Sequence, residues 1–113
     1  MFEKEFEGKV VLVTGGSRGI GYATVKAYLA AGAKVYFLGK EGEDFTERIA
    51  ELKSINPDYD FAVKAIDLCD YKAAQELYAE IEEKWGRLDV LVNNAGTDSS
   101  VPIHKMKQSQ WDY

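Results

Sequence analysis

Thr14-Gly15-Gly16-Ser17-Arg18-Gly19-Ile20-Gly21 is the stretch on which the fold turns. Ahead of it, residues 9–14 read Lys-Val-Val-Leu-Val-Thr, a short continuous β-branched and aliphatic run. That is the pattern of a strand buried on both faces. Behind it, Ile20, Ala23, Ala27 and Ala31 recur on one face of a predicted helix over residues 19–31, with Gly32 as its C-terminal cap. A strand, a glycine turn and a helix in that order form a receptor for a phosphate-bearing ligand. Gly15 lets the backbone turn sharply out of the strand. Gly19 omits the Cβ that would hold a pyrophosphate away from the helix N-terminus, and Gly21 lets helix and strand pack closely. The spacing is Gly-x-x-x-Gly-x-Gly, not the commoner Gly-x-Gly-x-x-Gly. No Gly-x-x-x-x-Gly-Lys-Ser/Thr occurs, which excludes the phosphate loop of ATPases.

The alternation continues beyond this helix. Residues 33–38 read as a second buried strand, and residues 43–53 as a helix with Phe45, Ile49 and Leu52 at helical spacing. Asn56-Pro57-Asp58 breaks the chain, and residues 61–66 supply a third strand. Asp70 is placed to cap a helix running to Trp85, with Ala74, Leu77, Tyr78, Ile81 and Trp85 inward and Gly86 ending it. Residues 88–92 are a fourth apolar strand, and residues 97–113 read as a loop and the first turn of another helix. The order βαβαβαβ predicts an α/β fold of Rossmann type, a doubly wound parallel sheet with right-handed crossovers. The expected strand order is 3-2-1-4, with a ligand crevice between the first and fourth strands. A helix beginning at the last residues suggests that residues 1–113 are the dinucleotide-binding half of a single longer domain, cut after the fourth strand.

Bulk properties narrow the partners. The 113 residues suit one domain, and 46% hydrophobic with 29% charged residues is the balance of a globular protein. A net charge of −5 argues against nucleic acid, whose binders present a basic face. A small anionic ligand remains compatible, because a helix N-terminus and one or two cations hold a phosphate. The single cysteine, Cys69, has no disulfide partner and fits a reducing compartment. The opening Met-Phe-Glu-Lys-Glu-Phe-Glu lacks the apolar segment of a secretion signal. No apolar run approaches the ~20 residues that span a bilayer, so no membrane partner and a cytoplasmic location are expected.

The glycine turn, taken with Val92-Asn93-Asn94-Ala95-Gly96, resembles the classical branch of the short-chain dehydrogenase/reductase family, close to its 3-oxoacyl-acyl-carrier-protein reductases. The likeness runs from Phe6 to Trp111. It implies an NAD(P)-dependent oxidoreductase that moves hydride between a nicotinamide dinucleotide and a small carbonyl or alcohol substrate, and it implies a homo-oligomer. By the same resemblance Ser17, Arg18 and Ile20 line the phosphates, Asp67 and Leu68 hold the adenine, and Asn93, Ala95 and Gly96 lie against the cofactor. From spacing alone, Asp67 reads equally as a strand-end carboxylate satisfied by backbone N–H groups. Asn94 reads as structural, an amide tying the fourth strand to its neighbours.

The family's proton relay of Ser, Tyr and Lys, with a supporting Asn, has no counterpart in this chain. Its Tyr-x-x-x-Lys motif belongs on a later helix. Tyr22 and Lys26 match the bare pattern, but they follow Gly21 directly and read as a surface pair. No catalytic residue is therefore expected here. Glu76, Glu80, Glu82 and Glu83 read as a solvated helix face, and His104 beside Lys105 and Lys107 as a surface residue. Cys69 lacks a Cys or His at metal-ligand spacing and reads as a small buried residue, so no metal is expected.

The cofactor reads as NADP in preference to NAD. The second strand ends Phe37-Leu38-Gly39-Lys40, without the acidic side chain that bonds a ribose 2′-hydroxyl. Lys40 and Arg18 are the cations for a 2′-phosphate, whereas Glu41 and Glu43 stand within reach of a ribose. Two other readings compete. One is a non-catalytic dinucleotide-binding module. The other is an epimerase or dehydratase of the extended branch, whose Gly-x-x-Gly-x-x-Gly spacing these glycines do not match.

Overall fold

A computed structural model describes residues 5–66 and 70–94. Four parallel strands, β1 (Val10–Thr14), β2 (Lys34–Gly39), β3 (Phe61–Ala65) and β4 (Val90–Asn93), lie in the order β3-β2-β1-β4. Helices α1 (Gly19–Ala30), α2 (Thr46–Ile55) and α3 (Tyr71–Trp85) form the crossovers. β1 is central: Val11 pairs with Val35 on one side and with Val90 on the other. All five of its residues are buried, as its unbroken aliphatic run requires.

The alternation of side chains along the strands divides the core in two. Val10, Leu12, Tyr36 and Leu38 face α3 and meet Ala74, Leu77, Tyr78 and Ile81. Val11, Val13, Val35 and Phe37 face the other way and meet Tyr22, Val25 and Leu29 of α1 and Leu52 of α2. Burying each such leucine or valine contributes about 1.5–3 kcal/mol. The sheet is thus clamped between helices.

Four expectations need correction. The inward face of α1 is Tyr22, Val25 and Leu29, whereas Ile20, Ala23 and Ala27 are exposed. Gly21 sets this phase: a Cβ there would strike Gly15 O, so the helix must turn residue 21 toward the glycine turn. The larger side chains at 22, 25 and 29 then face the sheet, where they remove more apolar surface from water than the alanines would. Tyr22 is accordingly no surface residue; it is 5% exposed and packs against Phe37. The helix expected from residue 43 starts at Thr46, because Asp44 Oδ1 turns back to accept the Thr46 N–H at 2.9 Å. Glu80 is not merely solvated. It accepts from the Tyr36 hydroxyl and from Lys64 Nζ, each at 2.7 Å, joining α3 to β2 and β3.

The ends of α3 follow their residues. Asp70 Oδ1 accepts from the N–H groups of Lys72 (3.0 Å) and Ala73 (3.2 Å), and Gly86 closes the helix at φ +77°. β4 begins at Val90 because Asp89 is engaged sideways: its Oδ2 accepts the Val10 N–H at 2.8 Å, and Arg87 pairs with the same carboxylate. None of the described helices is long and apolar enough to cross a membrane.

Candidate functional site

The carboxyl ends of β1 and β4 and the N-terminus of α1 meet at one edge of the sheet. The chain leaves β1 through Gly15 at φ +61°, a left-handed conformation that glycine adopts without penalty. Gly16 follows, and a Cβ there would lie 2.6 Å from Phe37 Cβ and 3.1 Å from Val25 Cγ2. It is therefore Gly16 that lets α1 approach the sheet. The sequence reading gave that task to Gly21, which instead permits contact with the turn's own backbone at Gly15 O and with Asn94 Nδ2.

Gly19 differs from both. Its φ is +61°, yet a Cβ there would meet no atom of the described residues within 4 Å. Beside it, at the first turn of α1, Ile20 stands 78% exposed, an unusual place for a large aliphatic side chain. Arg18, also exposed, precedes the helix in extended backbone. Among the described residues no side chain caps the first N–H groups of this helix.

Ser17 is buried, and two side chains fix it, one of them held in turn by the Lys40 backbone. Its hydroxyl donates to Glu43 Oε2 at 2.6 Å, its carbonyl accepts from Arg48 Nε at 2.7 Å, and Glu43 Oε1 accepts the Lys40 N–H at 3.0 Å. The Glu43 carboxylate thus covers Gly39, the end of β2, where a Cβ would collide with it. Burial by itself would raise the pKa of Glu43. The hydrogen bonds from Ser17 and Lys40 and the charges of Arg18 and Lys40 outweigh it and hold the carboxyl below its ordinary range. Arg48 also stacks 4.4 Å from the centre of the Tyr22 ring, so α2 grips both the turn and α1.

On the other side, the Thr14 hydroxyl lies 3.1 Å from Asn93 Oδ1 and accepts the Asn94 N–H at 2.8 Å. Asn94 Nδ2 donates to Gly15 O at 3.4 Å. Asn94 therefore ties β4 to the turn, and Asn93 stands exposed at the strand end. Gly15, Ser17, Arg18, Gly19, Ile20, Gly21, Lys40 and Asn93 come together along this edge. Asp67, Leu68, Cys69, Ala95, Gly96 and His104 lie outside the described residues.

Tyr22 has its hydroxyl on Glu51 Oε1 at 2.7 Å, with Lys26 Nζ 4.8 Å from its ring centre. Burial first, then the hydrogen bond and charge of Glu51, push its pKa up to about 12. A phenol held in that way is a poor proton donor at neutral pH. Arg48 was not legible in the sequence, and Thr14 and Gly16, though part of the motif, had no individual role there. Gly16 carried a signal, as a fourth glycine in the motif. Arg48 carried none, because its contact spans 31 residues.

A family model described as short chain dehydrogenase matches residues 9–113. The chain is 33% identical over 105 residues to a 3alpha-hydroxysteroid dehydrogenase of Mediterraneibacter gnavus, covering 93% of this chain and 42% of that protein. It is 41% identical to an acetoacetyl-CoA reductase of Rhizobium meliloti, covering 91% of this chain and 40% of the relative. Among solved structures, a short-chain dehydrogenase/reductase from Serratia marcescens matches at TM-score 0.70 and 37% identity over 81% of this chain and 37% of the other. A citronellol catabolism dehydrogenase of Pseudomonas aeruginosa matches at TM-score 0.74 and 32% identity, over 83% of this chain and 38% of that one. The chain thus spans about two fifths of the length of these relatives. With the family model covering nearly all of it, the chain belongs to the short chain dehydrogenase family.

Proposed function

We propose that the chain binds a nicotinamide dinucleotide across the ends of β1 and β4, as the cofactor-binding part of a single Rossmann-type oxidoreductase domain. The observation that carries this is the cradle at Gly19, with left-handed backbone and, among the described residues, no atom within 4 Å of where a Cβ would stand and no side chain capping the helix N–H groups beside it. A pyrophosphate fits such a place and a side chain there would exclude it. When bound, the nicotinamide supplies or accepts a hydride. The chain's residues bind and orient it: Gly15, Ser17, Arg18, Gly19, Ile20 and Gly21 at the phosphates, Asp67 and Leu68 at the adenine, Asn93, Ala95 and Gly96 along the remaining length. The substrate of the whole protein is a small carbonyl or alcohol, a class consistent with the reductase and dehydrogenase names of its relatives. The whole protein works as a homo-oligomer.

NADP is the preferred cofactor, supported by Arg18 and Lys40 and by a β2 that ends without an acidic side chain of its own. Titrating the chain with NADPH and NADH, read by fluorescence of the reduced nicotinamide, tests both parts. Saturable binding with NADPH the tighter is expected. Tighter NADH overturns the preference, and no binding of either overturns the assignment. The chain alone should oxidise no NADPH with any carbonyl, because loss of a positioned general acid costs about 10²–10⁴-fold in rate. A protein-dependent oxidation abolished by Tyr22→Phe would contradict this.

A further inference from the structure

The end of β2 carries no acid in its sequence, but it carries one in space. Glu43 folds back from four residues beyond Gly39, and its two oxygens take the Ser17 hydroxyl at 2.6 Å and the Lys40 N–H at 3.0 Å. Gly39 makes room for it, since a Cβ at that position would overlap both Glu43 Oε1 and the Phe45 ring. The same carboxylate feels the positive charges of Arg18 and Lys40. Those two side chains are the cations assigned above to a 2′-phosphate. Glu43 therefore lies in the field of both charges and already occupies two donors, the Ser17 hydroxyl and the Lys40 N–H, that an anion would use.

We propose that Glu43 is the specificity-determining residue at the adenosine ribose, an internal anion that opposes a 2′-phosphate. The inference rests on the dinucleotide reading of the site. A 2′-phosphate carries up to two negative charges and must displace the carboxylate from Ser17 and Lys40, or sit beside it against like-charge repulsion. An unphosphorylated ribose meets no such opposition, and its hydroxyls find in Glu43 an acceptor. Arg18 and Lys40 favour the phosphorylated cofactor, Glu43 moderates that preference, and the observed selectivity is the difference. Ser17 transmits the choice to the pyrophosphate turn, because its hydroxyl is held by Glu43 and its carbonyl by Arg48.

The experiment uses the 113-residue chain and two probes, adenosine 2′,5′-bisphosphate and 5′-AMP, titrated calorimetrically in phosphate-free buffer, with NADPH and NADH as a second pair. Glu43→Gln keeps an acceptor for Ser17 and removes the charge. It should raise the affinity ratio of bisphosphate over 5′-AMP about tenfold, chiefly by tightening the bisphosphate, as loss of one near like charge predicts. Glu43→Ala, which removes charge and acceptor together, should move the ratio in the same direction, with melting curves confirming that both variants fold. A ratio that stays within about twofold of wild type in both variants, or falls, overturns the proposal while leaving dinucleotide binding intact. Wild-type chain that binds neither NADPH nor NADH overturns the dinucleotide reading and this inference with it.

Discussion

Gly19 and Gly21 stand two positions apart and answer to different constraints. A Cβ on Gly21 would strike the backbone oxygen of Gly15. Backbone cannot swing aside as a side chain can, so Gly21→Ala should cost about 3 kcal/mol of stability, seen as a much lower midpoint in thermal or urea unfolding. No atom of the described residues stands near a Cβ at Gly19, and Gly19→Ala meets there only the strain of a left-handed alanine, about 1–2 kcal/mol. Its larger effect should be on binding, because the methyl enters the space assigned to pyrophosphate. Equal destabilisation by the two substitutions, with cofactor affinity unchanged in Gly19→Ala, would show that the turn is merely a turn. The glycines were legible in the sequence because their demands are local. The Glu43–Ser17 bond was not, since its partners are 26 residues apart and neither residue type announces the other.

Elements were legible where one residue sets a boundary or a continuous apolar run sets burial. β1 has an all-aliphatic run and is buried throughout, and α3 has a capping carboxylate at one end and a left-handed glycine at the other. Asp70→Ala should therefore cost about 1 kcal/mol through two lost N–H partners, and Asp70→Asn should recover most of it. An unchanged melt for the alanine variant would mean that water serves the helix end equally well. α1 misled because its two candidate faces have similar helical spacing. Ile20, Ala23 and Ala27 repeat as regularly as Tyr22, Val25 and Leu29, and the contact of Gly21 with the turn fixes the phase. Periodicity gave the helix; tertiary contact chose its face.

At the scale of the molecule, three carboxylates join separate elements and respond together to acid. Asp89 is held below its ordinary pKa by the Arg87 hydrogen bond, against burial, with the Val10 N–H adding to it. For Glu80 and Glu43 burial acts upward but is outweighed, at Glu80 by Lys64 and Tyr36 and at Glu43 by Ser17 and Lys40. Each is more acidic folded than unfolded, so around pH 4 the unfolded chain binds more protons. Their contribution is complete above about pH 5 and is lost as pH falls through the lowered folded values. Melting temperature should be level between pH 7 and about pH 5 and decline steadily below about pH 4. A melting temperature that rises on acidification would contradict the assigned directions.

If residues 15–21 receive the pyrophosphate, amide chemical shifts report it directly. With isotope-labelled chain titrated by NADPH, the largest shifts should fall on the backbone N–H groups of Ser17, Arg18, Gly19, Ile20 and Gly21, with a second group at Lys40 and Asn93. The N–H groups of the α3 face, from Ala74 to Ile81, should barely move. Shifts centred on α3 or β3, or a saturated complex in which Gly19 and Ile20 do not move, would contradict the account.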